Sequence, residues 1–482
     1  MARSVKENYI LNLVNSGSSI LFPLIVFPYA SRIMLADGIG HVDFFQSLIQ
    51  YIMLITCLGI PMYGIKEIAK YRDDKYLRNK ILLEIFSLQI VLCFIAYIIV
   101  FIISFTIQEI KSDRLLFYIL SLSIFFNAIG CEWYFQGVED FKYITIRSLI
   151  VKAISLCLLF IFVHTRKDIN YYAFIIVFGS MGGNIFNCIR ICKTISGHFT
   201  FREFNPIKHL LPALHVFVLT FITTIYVQLN TVMLGFLSDD KSVGLFSSAS
   251  KISHLLLIIG TTLSTTMLPR MSNLIAQNKN DDFNKMCLDL IKFIVLLSAP
   301  LTIWLFVSSS EIIHIICGNS YDDAIITLKI LAPIILIIGL SNVIGIQILF
   351  PMGKVNLVIK ATAMGALVNI ILNLFLIPLY KHNGSAISTL CAETMVTISL
   401  VYMSKKLINF KLVYKNCINY FIASTIMLFA LLSMPPISAN ELFNLLYISC
   451  TGIIIYVLIL WFIRDKFLLR IIKEIKNVYY KK

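Results

Sequence analysis

The chain alternates long apolar runs with short charged segments. Twelve stretches of 17 or more residues contain no Asp, Glu, Lys or Arg: 8–31, 44–65, 85–108, 115–131, 169–189, 209–238, 252–269, 293–310, 330–353, 361–380, 416–440 and 442–463. Two more runs qualify once interior charges are admitted, 143–165 with Arg147 and Lys152, and 382–404 with Glu393. A helix needs about 20 apolar residues to cross the hydrocarbon core of a bilayer. The pattern therefore predicts an all-α polytopic membrane protein of about 14 transmembrane helices, and an even number puts both termini on one side.

Composition agrees. Of 482 residues, 58% are hydrophobic and 14% charged, against about 25% charged in soluble domains, so a water-soluble fold is excluded. The net charge of +15 on one soluble face would suggest nucleic acid. Here the charge lies in the segments that leave the bilayer, so membrane lipids are the expected partner and nucleic acid is not. Alternate inter-span segments, counted from the N-terminus, hold 29 Lys and Arg against 7 in the other set. Basic residues are retained on the cytoplasmic side, which predicts a multi-pass protein of the bacterial inner membrane with both ends cytoplasmic. The longest connections, near 190–208 and 270–286, fall on that side, and the basic tail from Arg464 reads as an anchor against anionic lipid. Eleven Cys, mostly scattered singly among apolar runs, read as packing residues.

An internal repeat is visible. Ile39–Ser47 (IGHVDFFQS) is similar to Val243–Ser250 (VGLFSSAS), and pairing Gly40 with Gly244 sets an offset of 204 residues that also pairs Lys66 with Arg270. Six spans separate equivalent points, so the copies share one orientation and predict two six-helix lobes with a site between them. The expected divisions are 1–200, 201–405, and 406–482 for two further helices and the tail. Polar residues recur at helical spacing on the paired spans: Asn8, Asn12, Asn15, Ser16 and Ser19; Gln46, Gln50 and Cys57; Thr220, Thr223, Thr224, Asn230 and Thr231; Ser247, Lys251, His254, Thr261, Thr262 and Thr265. Singly such residues join helices; together they predict a wet cavity lined by Asn12, Asn15, Gln50, Thr224 and His254.

No phosphate-binding G-x-x-x-x-G-K-[ST] loop, HExxH, paired CxxC or G-x-S-x-G occurs, so an ATPase, metal or hydrolase site has no support. An enzyme is not expected, and the expected cofactor is none. Charges inside the bilayer are costly and mark functional positions. Lys251, Lys152, Arg32, Lys66 and Arg270 are the candidates for a cationic cavity. Glu132 and Glu393 either bind a coupling H⁺ or Na⁺ or neutralise Lys152 or Arg147, the latter being preferred. Trp133, Tyr134 and Phe135 are expected in an interfacial aromatic belt rather than as a sugar-stacking platform.

The strings FPYASRIML, DGIGHVDFFQSLIQYIMLITCLGIPMYGIKEIAKYRDD, EWYFQGVEDFKYITIRSLIVKAISL and VGLFSSASKISHLLLIIGTTLSTTMLPRMS resemble the bacterial polysaccharide transporter family, the Wzx-type O-antigen and capsule repeat-unit flippases. These are relatives of the lipid II flippases and multidrug antiporters of the MOP exporter superfamily. The similarity covers the first twelve spans and is densest in the first five; the last two match in hydropathy only. It implies translocation of undecaprenyl-diphosphate-linked oligosaccharide from the cytoplasmic to the periplasmic leaflet by alternating access, with a cationic cavity whose role would fall on Arg32, Lys66, Lys251 and Arg270. The lipid-linked oligosaccharide and other polysaccharide-assembly proteins are the partners it implies. A drug/cation antiporter on the same scaffold and a polytopic ligase or polymerase are the alternatives. The first should favour acids in its cavity, and the second should need a sizeable outer loop.

Overall fold

The computed structural model describes residues 5–194, 204–405, 407, 410–465 and 467–470. Among them no strand occurs, and the protein is all-α. Two compact units divide the chain, Met1–Gly244 and Leu245–Lys482.

The first unit contains α1 (Val5–Cys57), α2 (Ile60–Lys70), α3 (Lys75–Thr106), the single turn α4 (Gln108–Lys111), α5 (Arg114–Gly130), α6 (Glu132–Gly137), α7 (Phe141–Phe162), α8 (Ile169–Met181), α9 (Gly183–Thr194) and α10 (Leu210–Leu237). Helix α11 (Asp240–Ala276) begins in it and continues into the second unit. There follow α12 (Asn280–Val307), α13 (Ser309–Ile316), α14 (Asp323–Leu331), α15 (Ile334–Asn342), α16 (Val355–Ser404), α17 (Phe410–Leu432) and α18 (Glu441–Phe462). The helix expected to open the second lobe, α10, packs in the first unit against α1 and α2.

Helix length explains the two breaks. At 1.5 Å per residue, a straight α1 would extend about 80 Å and a straight α16 about 75 Å, far beyond a hydrocarbon core of about 30 Å. Each is interrupted at one residue, α1 at Leu35 (φ 55°) and α16 at Lys381 (φ 48°). The connection expected over 32–43 is thus a sharp break between two helical segments. Left-handed backbone at a residue with a side chain costs about 1–2 kcal/mol, a cost the surrounding packing carries. Among the described residues eight helical stretches are long and apolar enough to cross a membrane, or nine if the pair Arg166–Met181 and Gly183–Lys193, bent by 45°, is one span. Two of the eight, Ile10–Lys70 and Val355–Ser404, contain the breaks.

Large apolar side chains on the outside fit a lipid solvent: Phe94, Phe101, Phe375 and Phe429 are each at least 60% exposed. The interior of the first unit gathers Ile60, Ile81, Leu82 and Ile85 around Trp133, Tyr134 and Phe135. This corrects the expected aromatic belt. All three rings are buried, and Trp133 Nε1 donates to Gln89 Oε1 at 3.4 Å. The second unit has its own core, in which α12 packs on α15 and α17. The connection expected over 270–286 is likewise shorter than predicted, because α11 runs to Ala276 and α12 starts at Asn280.

Glu84 fixes the entry to α10. Its carboxylate is fully buried, accepts from Asn205 N at 3.0 Å and Lys208 Nζ at 2.6 Å, and lies 3.0 Å from His209 Nε2.

Candidate functional site

Several predicted polar residues meet within the first unit. On α1, the Ser18 and Ser19 hydroxyls donate to the Asn15 carbonyl at 2.7 and 3.0 Å. They in turn accept from Lys152 Nζ of α7 at 2.9 and 2.8 Å. Asn15 Oδ1 is buried without a hydrogen-bond partner, and Asn12 on the same helix is exposed. A lysine ammonium therefore sits on the polar face of α1 with hydroxyl oxygens as its hydrogen-bond acceptors. Such oxygens hydrate the charge without cancelling it, so it can still attract an anion.

A second group joins α1 beyond its break to α10. Ser47 Oγ donates to Gln228 Oε1 at 3.1 Å, Gln228 Nε2 donates to Gln50 Oε1, and Tyr51 OH donates to the Ile225 carbonyl at 3.0 Å. Beside them Gln50, Cys57 and Thr224, with Met53 and Met62, line a cavity of about 300 Å³. Gln50 and Thr224, 174 positions apart, both line it. The chain leaves this cavity through Gly59, whose φ of 74° suits glycine. A Cβ there would also overlap the Ala213 carbonyl of α10.

Glu132 and Arg147 form an ion pair of 3.2 Å. Arg147 is buried and also donates from Nη1 to the Gly183 carbonyl and to Asn184 Oδ1, each at 3.2 Å. A buried guanidinium without such partners would be strongly destabilising.

Arg32 is exposed three residues before the break in α1, and Lys66 is exposed on α2. In the second unit Lys251 is half-buried, His254 and Arg270 are exposed, and Glu393 is buried on α16. The side chains of Asn8, Thr220, Thr223, Thr261, Thr262 and Thr265, and the tail beyond residue 470, lie outside the described residues.

The glycines that define the 204-residue offset meet each other. A Cβ on Gly40 would overlap the Asp240 carbonyl, and a Cβ on Gly244 would overlap the Ala36 carbonyl. Since 36 and 240 differ by the same offset, the contact is reciprocal: each copy presses its glycine on the equivalent carbonyl of the other. Next to this crossing His41 lies between two acids, with Nδ1 2.9 Å from Asp240 and Nε2 3.6 Å from Asp113. Burial would lower its pKa, but both carboxylates raise it and they prevail.

Sequence reasoning passed over His41, Gln228 and a buried pair on α16, Asn369 and Asn373, where Asn373 Nδ2 donates to Asn369 Oδ1 at 3.0 Å. The α16 pair had a readable signal: two Asn at i and i+4 in an apolar run place polar atoms on one helix face. Among the described residues no group of three or more His, Cys, Asp or Glu could hold a metal ion.

Comparison with known proteins gives a consistent picture. The family description "Polysaccharide biosynthesis protein" matches residues 5–275, and "Lipid II flippase MurJ" matches residues 147–458. The second match continues past residue 416, where hydropathy alone carried the resemblance. A protein of Escherichia coli strain K12 named for O-antigen transport is 28% identical over 411 residues, covering 83% of this chain and 96% of its own length. Among solved structures, lipid II flippase MurJ in its inward closed conformation aligns with a TM-score of 0.75 at 19% identity, covering 95% of this chain and 99% of its own. A multidrug resistance MATE family transporter of the MOP superfamily, inward-facing, aligns with a TM-score of 0.61 at 13% identity, covering 86% and 95%. At these identities the two structures speak for the fold.

Proposed function

The chain belongs to the polysaccharide biosynthesis protein family, and from that premise we propose that it is a flippase for lipid-linked oligosaccharides. It carries undecaprenyl-diphosphate-linked repeat units from the cytoplasmic to the periplasmic leaflet by alternating access, as a transporter without an enzymatic step. It does so from the inner membrane, with fourteen spans and both termini cytoplasmic. The name of the E. coli relative and the MurJ match support this reading.

The physical problem is the headgroup. A polyprenyl tail is at home in hydrocarbon, while a diphosphate bearing sugars cannot cross it without a polar, positive path. The observation that carries the reading is Lys152, a cation in mid-helix whose ammonium rests on the Ser18 and Ser19 hydroxyls. Basic groups answer the diphosphate, and the amides and hydroxyls of Asn12, Asn15, Gln50 and Thr224 answer the sugars. Arg32 and Lys66 are further cations of the first unit, and Lys251, Arg270 and His254 offer the same chemistry on the second.

The two acids take different roles. Glu132 neutralises Arg147, and Glu393, an acid buried in an apolar span, takes the role of binding a coupling H⁺ or Na⁺. Isolating lipid-linked intermediates from a deletion strain tests the function: single repeat units should accumulate on the inner leaflet. Complete chains on the outer leaflet would indicate a ligase instead. Lys152→Ala should cut flipping at least tenfold, whereas Glu393→Gln should remove its pH or Na⁺ dependence.

A further inference from the structure

A groove on the first unit lies apart from the polar face of α1. It has a volume of about 530 Å³ and runs between α7 and α9. Lys142, Arg147, Arg190 and Lys193 line it together with a single acid, Asp140. The cations are organised. Arg190 pairs with Asp140 at 2.7 Å and stacks over the Tyr143 ring at 4.0 Å. Arg147, 8% exposed, keeps its buried Nε without a hydrogen-bond partner. Lys142 and Lys193 are exposed at the rim.

The walls are of the opposite character. Ile146, Ile150, Phe186 and Ile189 are each more than 40% exposed, as side chains facing acyl chains would be. A cluster of cations that opens beside apolar walls at the edge of the bilayer has one chemical complement, a phosphate joined to hydrocarbon. A free inorganic ion would meet the charges and leave the walls uncovered. A glycan headgroup would need amides and hydroxyls, and among the described residues the only neutral polar group of the lining is the Tyr143 phenol.

We propose that the groove between α7 and α9 is a binding site for an anionic glycerophospholipid of the surrounding bilayer, a resident lipid distinct from the cargo. Its phosphate sits among Lys142, Arg190 and Lys193, and its acyl chains lie along Ile146, Ile150 and Ile189. The inference does not depend on what the protein transports.

The test uses the purified full-length chain in detergent, titrated with phosphatidylglycerol or with phosphatidylcholine of the same acyl composition. Phosphatidylglycerol should bind at least tenfold more tightly. The double variant Lys142→Gln/Lys193→Gln, whose side chains are exposed, should melt as the parent does and lose roughly 25-fold in affinity, at about fivefold per basic group near a membrane surface. Removing the same charge elsewhere, by Lys279→Gln/Lys285→Gln, should leave binding unchanged. Equal binding of both lipids, or equal losses in the two double variants, would overturn the proposal in favour of diffuse charge. Competition by glycerol 1-phosphate as effective as by the whole lipid would overturn the role of the walls. Displacement of phosphatidylglycerol by lipid-linked oligosaccharide would assign the groove to the cargo. Because flipping is read separately, a failure here leaves the proposed transport untouched.

Discussion

Each unit holds a histidine between two carboxylates at the ends of its helices, and the two arrangements differ in reach. In the first, His41 contacts Asp240, 199 positions away, at 2.9 Å, and Asp113 at 3.6 Å. In the second, His314 contacts Asp322, only eight positions away, at 2.7 Å, and Glu441 at the start of α18 at 3.0 Å. The imidazoles are almost equally shielded, at 19% and 18% exposure. His314 has two good arms, a short one to Asp322 and a long one to Glu441, 127 positions away. His41 is a long clasp with one good arm and one weak one, and it depends on the glycine crossing to hold its distant partner in place. Similar chemistry thus gives stability of different origin, with one local arm in the second unit and an arm conditional on a backbone contact in the first.

Breaking the crossing should have the largest effect. Gly244→Val would force its side chain into the Ala36 carbonyl, and we expect a loss of about 3 kcal/mol or failure to accumulate, read as folded yield and melting temperature. His314→Gln should come next, at about 1–2 kcal/mol, since two charge-assisted bonds are lost to partly exposed acids. His41→Gln should cost about 1 kcal/mol, and Asp113→Asn less than about 0.5 kcal/mol, because its arm is long at 3.6 Å. A cost for Asp113→Asn equal to that of His41→Gln would erase the distinction drawn here.

Acidity offers a finer test. Burial lowers each imidazole pKa, but the flanking carboxylates raise it above the ordinary 6.5 in both units. A raised pKa means that the folded state holds the proton more tightly. The stabilisation is therefore complete below pH 6.5 and fades as pH climbs through the folded value. Melting curves of parent, His41→Gln and His314→Gln should lie apart at pH 6 and converge toward pH 9.

How much of this was legible follows the range of each interaction. The all-α membrane fold was written in runs of uncharged residues, a local property. The similarity of the strings around Gly40 and Gly244 was legible as a duplication, but their contact was not; Gln50 and Thr224, which the 204-residue offset does not pair, were legible only as polar positions in apolar runs. The His41 clasp was not legible, since nothing near His41 announces acids 72 and 199 positions away. Trp133 was misplaced by a general preference: tryptophan favours the interface when it faces lipid, but here the short α6 turns it inward onto Gln89. The break at Leu35 falls inside the connection expected over 32–43, but its form, one residue of positive φ between two helical segments, leaves no mark in hydropathy.

The reciprocal glycine contact carries a consequence for how such a chain can change. In an ordinary packed pair, growth on one side can be offset by shrinkage on the other. Here both partners already carry hydrogen alone, and what each one meets is main chain, which no substitution can trim. The two halves are therefore bound to a common history at this point: neither is free to drift without the other, and no second-site change in the opposite glycine can rescue the first.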